Sequence, residues 1–479
     1  MNNEIVFGTD GWRGLLDKEI NNESTALAAQ AFSDYLISER SEAKCDQDLQ
    51  VAVGFDGRRC SSEFASIFAE VLSGNSIKVF LSDKVVPTPA LSFFVKEKEL
   101  DAGVMITASH NPPEYNGIKF KASYGGPFCT EETLKVEKLL GRSSIKKSRQ
   151  NVVTTDLMEV YFTQLESYID FRSIREAGIK ILADSMAGAG QRYLEEILKR
   201  NGCSCETIFG TCSTDFCGRM PEPIEKNLTD SRIYLQEDPG FSFGAATDGD
   251  ADRCGILLEN GQWLSAQYTI LLLNDYFVNQ RKVKGHLVKT SSVTDKIKQF
   301  ESAERKVIDV QVGFKYICEE MISRDISIGC EESGGFGYKG HIPERDGILS
   351  ALIMAEMLSK SGYTELSRYF EMKKLEFGSI CYDRIDFRYD GKDRIEILPR
   401  LFSSPPKSIT EFPVLDIKEF YSSRGIINGL KFTLKGDSRW LLMRASETEP
   451  LVRIYAEGNS STEVETLLRS GVNLLLNKN

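Results

Sequence analysis

QVAVGFDGRRCSSEFASIFAEVLSGNSIKVFLSD, residues 50–83, reads as strand, helix, strand. QVAVGF and SIKVFLS are short apolar runs of strand type, and SSEFASIFAEVLSGN reads as a helix opened by a Ser-Ser-Glu cap. The same alternation extends outward from residue 23 to about 375. An amphipathic helix, ESTALAAQAFSDYLISER, precedes the unit. GIKILADS, AGAGQRYLEEILKRNG and SCETIFG repeat it, followed by HLVKTSS, the helix-type SVTDKIKQFESAE, KVIDVQV, GFKYICEEMISRD and ISIGCEES. Such alternation predicts mixed, largely parallel sheets flanked by helices.

After one long predicted helix, DGILSALIMAEMLSKSGYTELSRYFEMK, the style changes. FGSICYDRIDFRY, GLKFTLKG, RWLLMRAS and LVRIYAEG read as strands, and a closing helix starts at Ser461. The polar, basic SSIKKSRQNVVTTD (143–156) reads as a linker, and LLENGQW (257–263) holds an Asn-Gly turn. The expected division is 1–153, 154–258 and 259–373 as three α/β domains and 374–479 as an α+β domain. No 20–50-residue period marks a solenoid.

At 479 residues the chain exceeds one hydrophobic core, and 41% hydrophobic with 27% charged residues is ordinary globular composition. A net charge of −11 argues against a nucleic-acid partner. No apolar run reaches membrane-span length, and the N-terminus has no signal-peptide pattern, so a cytoplasmic protein, monomer or homodimer, is expected. Eleven cysteines, an odd number, read as reduced thiols. Cys203, Cys205, Cys212 and Cys217 lack paired C-x-x-C knuckles, so a zinc site is not expected there.

Chemistry concentrates in a few stretches. In TASHNPPEYNGIKF (107–120) a serine follows the strand-type run DAGVMI, and two prolines exclude a helix directly after it. Ser109 and His110 are thus expected on a loop at a strand end, where α/β folds bind ligands. On an extended loop adjacent side chains point apart, so His110 is read as an anchor of the loop and Lys119 as the base. In TDGDADRCG (247–255) Asp248, Asp250 and Asp252 can converge on one hard cation, and their mutual repulsion calls for one. An EF-hand is excluded because Arg253 stands where that loop needs glycine and the flanks read as strands. EESGGFG (331–337) is a glycine-rich loop whose Glu331 and Ser333 can accept from and donate to hydroxyl groups of a ligand. RASETEPLVRIYAE (444–457) groups Arg444, Ser446, Thr448 and Arg453 in a way that suits a phosphate dianion. FGTDGWRG adds Arg13, and GFDGRRCSS adds Arg58 and Arg59.

FGTDGWRG, TASHNPPEYNGIK, TDGDADR, EESGG and RASETEPLVR, in this order, resemble the α-D-phosphohexomutase superfamily over essentially the whole chain. The resemblance implies three α/β domains and a fourth of TATA-binding-protein-like type around a central cleft. It implies a phosphoserine at Ser109, Mg²⁺ held by Asp248, Asp250 and Asp252 with the Ser109 phosphate, and Lys119, Arg13, His110 and Arg253 at the reacting groups. Glu331, Ser333 and Gly334 match the sugar contacts; Arg444, Ser446, Thr448 and Arg453 match the site of the phosphate that is not transferred. The implied activity interconverts hexose 1-phosphate and 6-phosphate through a hexose 1,6-bisphosphate, which also serves as activator. Glucose phosphate comes first, because EESGG resembles phosphoglucomutase versions; mannose and glucosamine phosphates follow. The alternatives outside the class are a phosphosugar-binding protein without turnover and a phosphatase. Three departures stand out. Glu447 replaces the Gly or Asn of many relatives, and Gly335 stands where bacterial phosphomannomutase/phosphoglucomutase relatives often carry His, as VGFK (312–315) also differs. The latter two weigh against dual glucose and mannose use.

Overall fold

The computed structural model describes residues 5–8, 11–42, 48–389, 394–422, 425–445 and 451–476. In it the unit at 50–83 forms as read: strands Gln50–Phe55 and Lys78–Ser82 lie parallel, joined through helix Ser61–Gly74. The cap differs. Cys60 precedes the first turn with φ 65° and no side chain caps it. The Ser61 hydroxyl donates instead to Asp56 at 2.7 Å, because the buried carboxylate at the strand end is the stronger acceptor.

The first domain's sheet runs in the order Trp12–Leu15, Tyr115–Ala122, Ala102–Ile106, Gln50–Phe55, Lys78–Ser82, Val152–Thr155. Its last strand lies in the segment expected to be a linker and pairs parallel with Lys78–Ser82. No residue of that strand is fully buried, so the segment lacks the apolar run of an inner strand. The second sheet is Trp263–Leu264, Cys254–Leu258, Phe243–Thr247, Lys180–Asp184, Ser204–Ile208, with the Asn260-Gly261 turn inside its hairpin. The third is Val307–Val310, His286–Thr290, Ile326–Glu331, Gly335–Tyr338. All three mix parallel and antiparallel pairs.

The fourth sheet, Cys381–Arg388, Leu451–Gly458, Trp440–Ala445, Ile427–Leu434, Phe412–Tyr421, Ser408–Ile409, is antiparallel. Helices Arg394–Ser403 and Ser461–Leu475 cover one face through Leu398, Val464 and Leu467. The architecture is therefore three α/β domains with mixed sheets and a C-terminal α+β domain. One buried apolar cluster, reaching from Phe94 through Tyr161 and Ile197 to Leu352, runs through the first three domains, and the fourth keeps its own. Among the described residues no helix is long and apolar enough to cross a membrane.

Two elements depart from expectation. SVTDKIKQFESAE gives only a 3₁₀ turn at Asp295–Phe300. Ile297 and Phe300, three apart, are both buried, which is the 3₁₀ period, and Asp295 is drawn to Lys289 and Lys431 as well as to Lys298 of its own turn. The long helix splits into Gly347–Lys360 and Leu366–Phe377, because Gly362 takes φ 81° and reverses the chain between them.

Candidate active site

Strand Ala102–Ile106 ends in Thr107-Ala108-Ser109, and Ser109 takes φ 53°. That left-handed turn changes the neighbour relation expected of an extended loop: the Ser109 Oγ lies 3.3 Å from His110 Nδ1. Burial, and then the charges of Arg253, Arg13, Lys119 and Arg345, hold the imidazole well below its usual pKa, so His110 is neutral. The Ser109 hydroxyl is itself fully buried and donates to Asp248 Oδ2 at 2.9 Å. The loop is held from below by Arg58. Its Nη1 donates to the Pro112 and Tyr115 carbonyls at 2.8 and 3.0 Å, its Nη2 to those of Ser109 and Asn111 at 2.6 Å each, and its Nε lies 3.2 Å from Asp56. Arg13 reaches the same loop, donating to Asn111 Oδ1 at 2.8 Å. Arg59 pairs with Asp17 on the exposed side.

The three aspartates sit in the turn between antiparallel strands Phe243–Thr247 and Cys254–Leu258, and all are fully buried. One oxygen atom from each lies within 4.8 Å of the others. Glycine is required at 249, where a Cβ would come within 2.2 Å of the Ser109 carbonyl oxygen. The carboxylates are sorted by oxygen. Asp248 Oδ1 accepts the N–H groups of Asp252 and Arg253 at 3.0 and 3.1 Å. Asp250 Oδ2 accepts from Lys119 at 2.8 Å and Thr88 at 2.6 Å; Asp252 Oδ2 accepts from Lys119 at 3.0 Å and Arg345 at 2.7 Å. Among the described residues the buried Oδ1 atoms of Asp250 and Asp252 have no hydrogen-bond partner. Burial, then repulsion from Asp252 and Asp250, drives the Asp248 carboxyl well above the usual range. Burial also pushes Asp250 up, but Lys119 and Thr88 outweigh it and hold it low. Buried oxygens without partners, and a carboxyl that would otherwise take a proton, fit a hard divalent cation held by Asp248, Asp250 and Asp252. Lys119 and Lys121 share one strand face, as their spacing predicts, and Lys121 pairs with Glu344 at 2.5 Å.

Arg345 escaped the sequence reading. Nearly buried, it links the aspartate loop to the glycine-rich loop: besides Asp252, its Nη1 lies 3.4 Å from Glu331 Oε2. Its side chain also explains Gly335, since a Cβ there would meet Arg345 Cδ at 2.3 Å. The Arg-Asp-Gly run closing KGHIPERDG was the available cue. Ser333 donates to Glu331 at 3.0 Å. Gly334, with φ 84°, packs against Cys254, whose carbonyl would sit 2.5 Å from a Cβ. Arg253 lies 3.6 Å from Glu222 and 4.0 Å from Asp252 Oδ1. Lys315 of VGFK donates to Thr130 in the first domain at 2.7 Å.

On the fourth domain Arg444 and Arg453 are directly paired across adjacent strands, and Arg453 Nε lies 3.8 Å from Asp386. Ser446, Glu447 and Thr448 lie outside the described residues. Beside the glycine-rich loop, Glu332 raises the phenol pKa of Tyr382 in this domain, second to burial.

Known proteins share this fold. Residues 4–146, 159–261 and 265–375 match the phosphoglucomutase/phosphomannomutase alpha/beta/alpha domains I, II and III, and 393–470 match the C-terminal domain. The crystal structure of a Thermus thermophilus protein assigned as a phosphomannomutase superposes with TM-score 0.82 at 32% identity, covering 99% of this chain and 100% of that one. A phosphoglucomutase/phosphomannomutase of Thermococcus kodakarensis is 28% identical, covering 98% of both chains. A phosphoglucosamine/phosphogalactosamine mutase of Sulfurisphaera tokodaii is 27% identical, covering 97% of both. Fold and relatives thus define a phosphohexomutase, an intramolecular phosphotransferase. The chain belongs to the phosphoglucomutase/phosphomannomutase family.

Proposed function

We propose that the chain interconverts hexose 1-phosphate and hexose 6-phosphate, with glucose phosphate preferred, through phosphoserine at Ser109. The observation that carries this reading is the buried Ser109 hydroxyl 2.9 Å from Asp248, beside two aspartates with unpartnered oxygens. As phospho-Ser109 gives its phosphoryl group to the free hydroxyl of the sugar monophosphate, the Lys119 ammonium gives a proton to the departing Ser109 Oγ and takes up the one the hydroxyl releases, and the exchange runs the other way in the second transfer. The resulting hexose 1,6-bisphosphate turns over and returns its other phosphoryl group to Ser109, which regenerates the phosphoenzyme and releases the isomer. Mg²⁺, held by Asp248, Asp250 and Asp252, would supply charge neutralisation at the phosphoryl oxygens. His110, neutral beside Ser109 Oγ, and Arg13, on Asn111, keep the loop in place; Arg253 faces the transferring group. Glu331 and Ser333 bind sugar hydroxyls, with Gly334 bringing their backbone close. Arg444 and Arg453, with Ser446 and Thr448, hold the phosphate that stays.

The test is a panel of glucose, mannose and glucosamine 1-phosphates, scored for isomerised sugar phosphate and for free phosphate. Highest kcat/KM with glucose 1-phosphate, little phosphate release, and a phosphate mass shift on the TASHNPP peptide are expected. Preference for another sugar reassigns the substrate, stoichiometric phosphate release makes the protein a phosphatase, and no turnover at all leaves a binding protein.

A further inference from the structure

Helix Thr88–Glu97 of the first domain begins against the aspartate loop of the second. Thr88 is fully buried; its hydroxyl donates to Asp250 Oδ2 at 2.6 Å and its backbone N–H to the Asp250 carbonyl at 3.0 Å. The N–H belongs to the first turn, where the helix itself offers no acceptor. Pro87 in extended conformation and Pro89 inside the first turn fix the backbone on either side. One residue thus grips both the side chain and the main chain of one aspartate.

The grip matters because Asp250 has two oxygens with different tasks. Oδ2 takes Thr88 and Lys119, while Oδ1 is buried without a partner. Rotation of the carboxylate would exchange them. Lys119 alone cannot prevent this, since its ammonium sits on a flexible stem and is shared with Asp252 at 3.0 Å. The Thr88 hydroxyl rides on a β-branched, backbone-anchored residue and cannot follow a rotating carboxylate. We propose that Thr88 is a positioning residue of the cation centre, selecting which Asp250 oxygen is offered to the metal and docking the first domain onto the aspartate loop. The proposal rests on the reading of the three aspartates as cation ligands.

Thr88→Val removes the hydroxyl at nearly constant shape, and Thr88→Ser keeps it. The full chain, stripped of metal, is titrated with Mn²⁺ and free ion is followed by electron paramagnetic resonance, with Mg²⁺ as competitor. Thr88→Val should bind about 10–100-fold more weakly and Thr88→Ser within about threefold of wild type, the range seen when a partner of a metal ligand is lost or kept. Turnover of Thr88→Val should recover as Mg²⁺ is raised, so that the loss falls in the apparent metal constant rather than in kcat. Wild-type affinity in folded Thr88→Val overturns the proposal, and so does an equal loss in the Ser and Val variants, which would trace the effect to packing. If Thr88→Val does not fold, Thr88→Ala, which also removes the hydroxyl, is held to the same two criteria against Thr88→Ser. A wild-type chain that binds no Mn²⁺ would overturn the cation reading itself, and the same titration shows it.

Discussion

Arg58 does for the serine loop what the two prolines cannot. Prolines fix φ, but Ser109 sits at φ 53°, and the carbonyls of Ser109, Asn111, Pro112 and Tyr115 all turn inward to one guanidinium. Five N–H donors in a rigid fork suit that task, and Asp56 at 3.2 Å balances the charge. Arg58→Met should therefore destabilise the chain by about 3–5 kcal/mol, because it leaves Asp56 buried and uncompensated. Arg58→Lys should recover only part of this, since an ammonium has three donors and no fork. Denaturant unfolding checks the magnitude, and hydrogen exchange across residues 107–117 checks the location. Full protection of that segment in Arg58→Met would show that the prolines suffice. The sequence named Arg58 as a basic residue near a glycine turn but could not say what it binds, because its carbonyl partners lie more than fifty positions away.

Local elements were readable where propensity and packing agree. The unit at 50–83, the strands flanking TDGDADR and the strand pair carrying Arg444 and Arg453 came from period and turn chemistry. Other elements were hidden by features that break a period. Helix Arg394–Ser403 contains Pro399, and strand Phe412–Tyr421 shifts register twice, so neither shows a clean repeat. Arg345 and Thr88 were illegible because their meaning is a contact across domains. Junctions between elements can be tested at two places. Gly249→Ala should push the aspartate turn off the Ser109 carbonyl, costing about 1–3 kcal/mol as an overpacked site does. Turnover should fall much more than melting temperature, and normal turnover in this variant would mean that the two loops can part without harm. Arg444 and Arg453, paired across two strands, should both serve the phosphate that is not transferred. Arg444→Ala should cost about 2–3 kcal/mol in kcat/KM with the 1-phosphate and the 6-phosphate alike, as loss of a charge-assisted contact does. A loss in one direction only would rule out a single shared site.

At the scale of the whole molecule, the fourth domain meets the third through buried charge. Lys289 lies 2.9 Å from Asp295 and 3.2 Å from Asp309; Lys431, from the fourth domain, lies 3.1 and 3.6 Å from the same two carboxylates. Thr294 donates to Glu457 at 2.7 Å beside them, and Val312 packs with Phe420, Trp440 and Tyr455. Such a lattice is weak evidence of net stability but fixes how two surfaces register. Its lysines are not equivalent. Burial, then Lys289, pulls the Lys431 ammonium down to about 8, against the opposing pull of Asp309 and Asp295. Lys289, closer to both carboxylates, is held above its usual value despite burial. A lysine lowered in the folded state binds fewer protons there than in the unfolded chain, so between pH 8 and the unfolded value near 10.4 stability rises with pH. The Lys289 contribution has the opposite sign, but it is complete below about pH 10.4 and is lost only above it. Across pH 8–10 the wild type should therefore gain stability relative to Lys431→Met, by an amount on the order of 3 kcal/mol when the full window is crossed. Thermal or denaturant unfolding of both proteins at constant salt measures the difference. A difference that stays flat or falls over that range would mean that Lys431 keeps its proton in the folded protein, and that the lattice holds two full positive charges against its two aspartates.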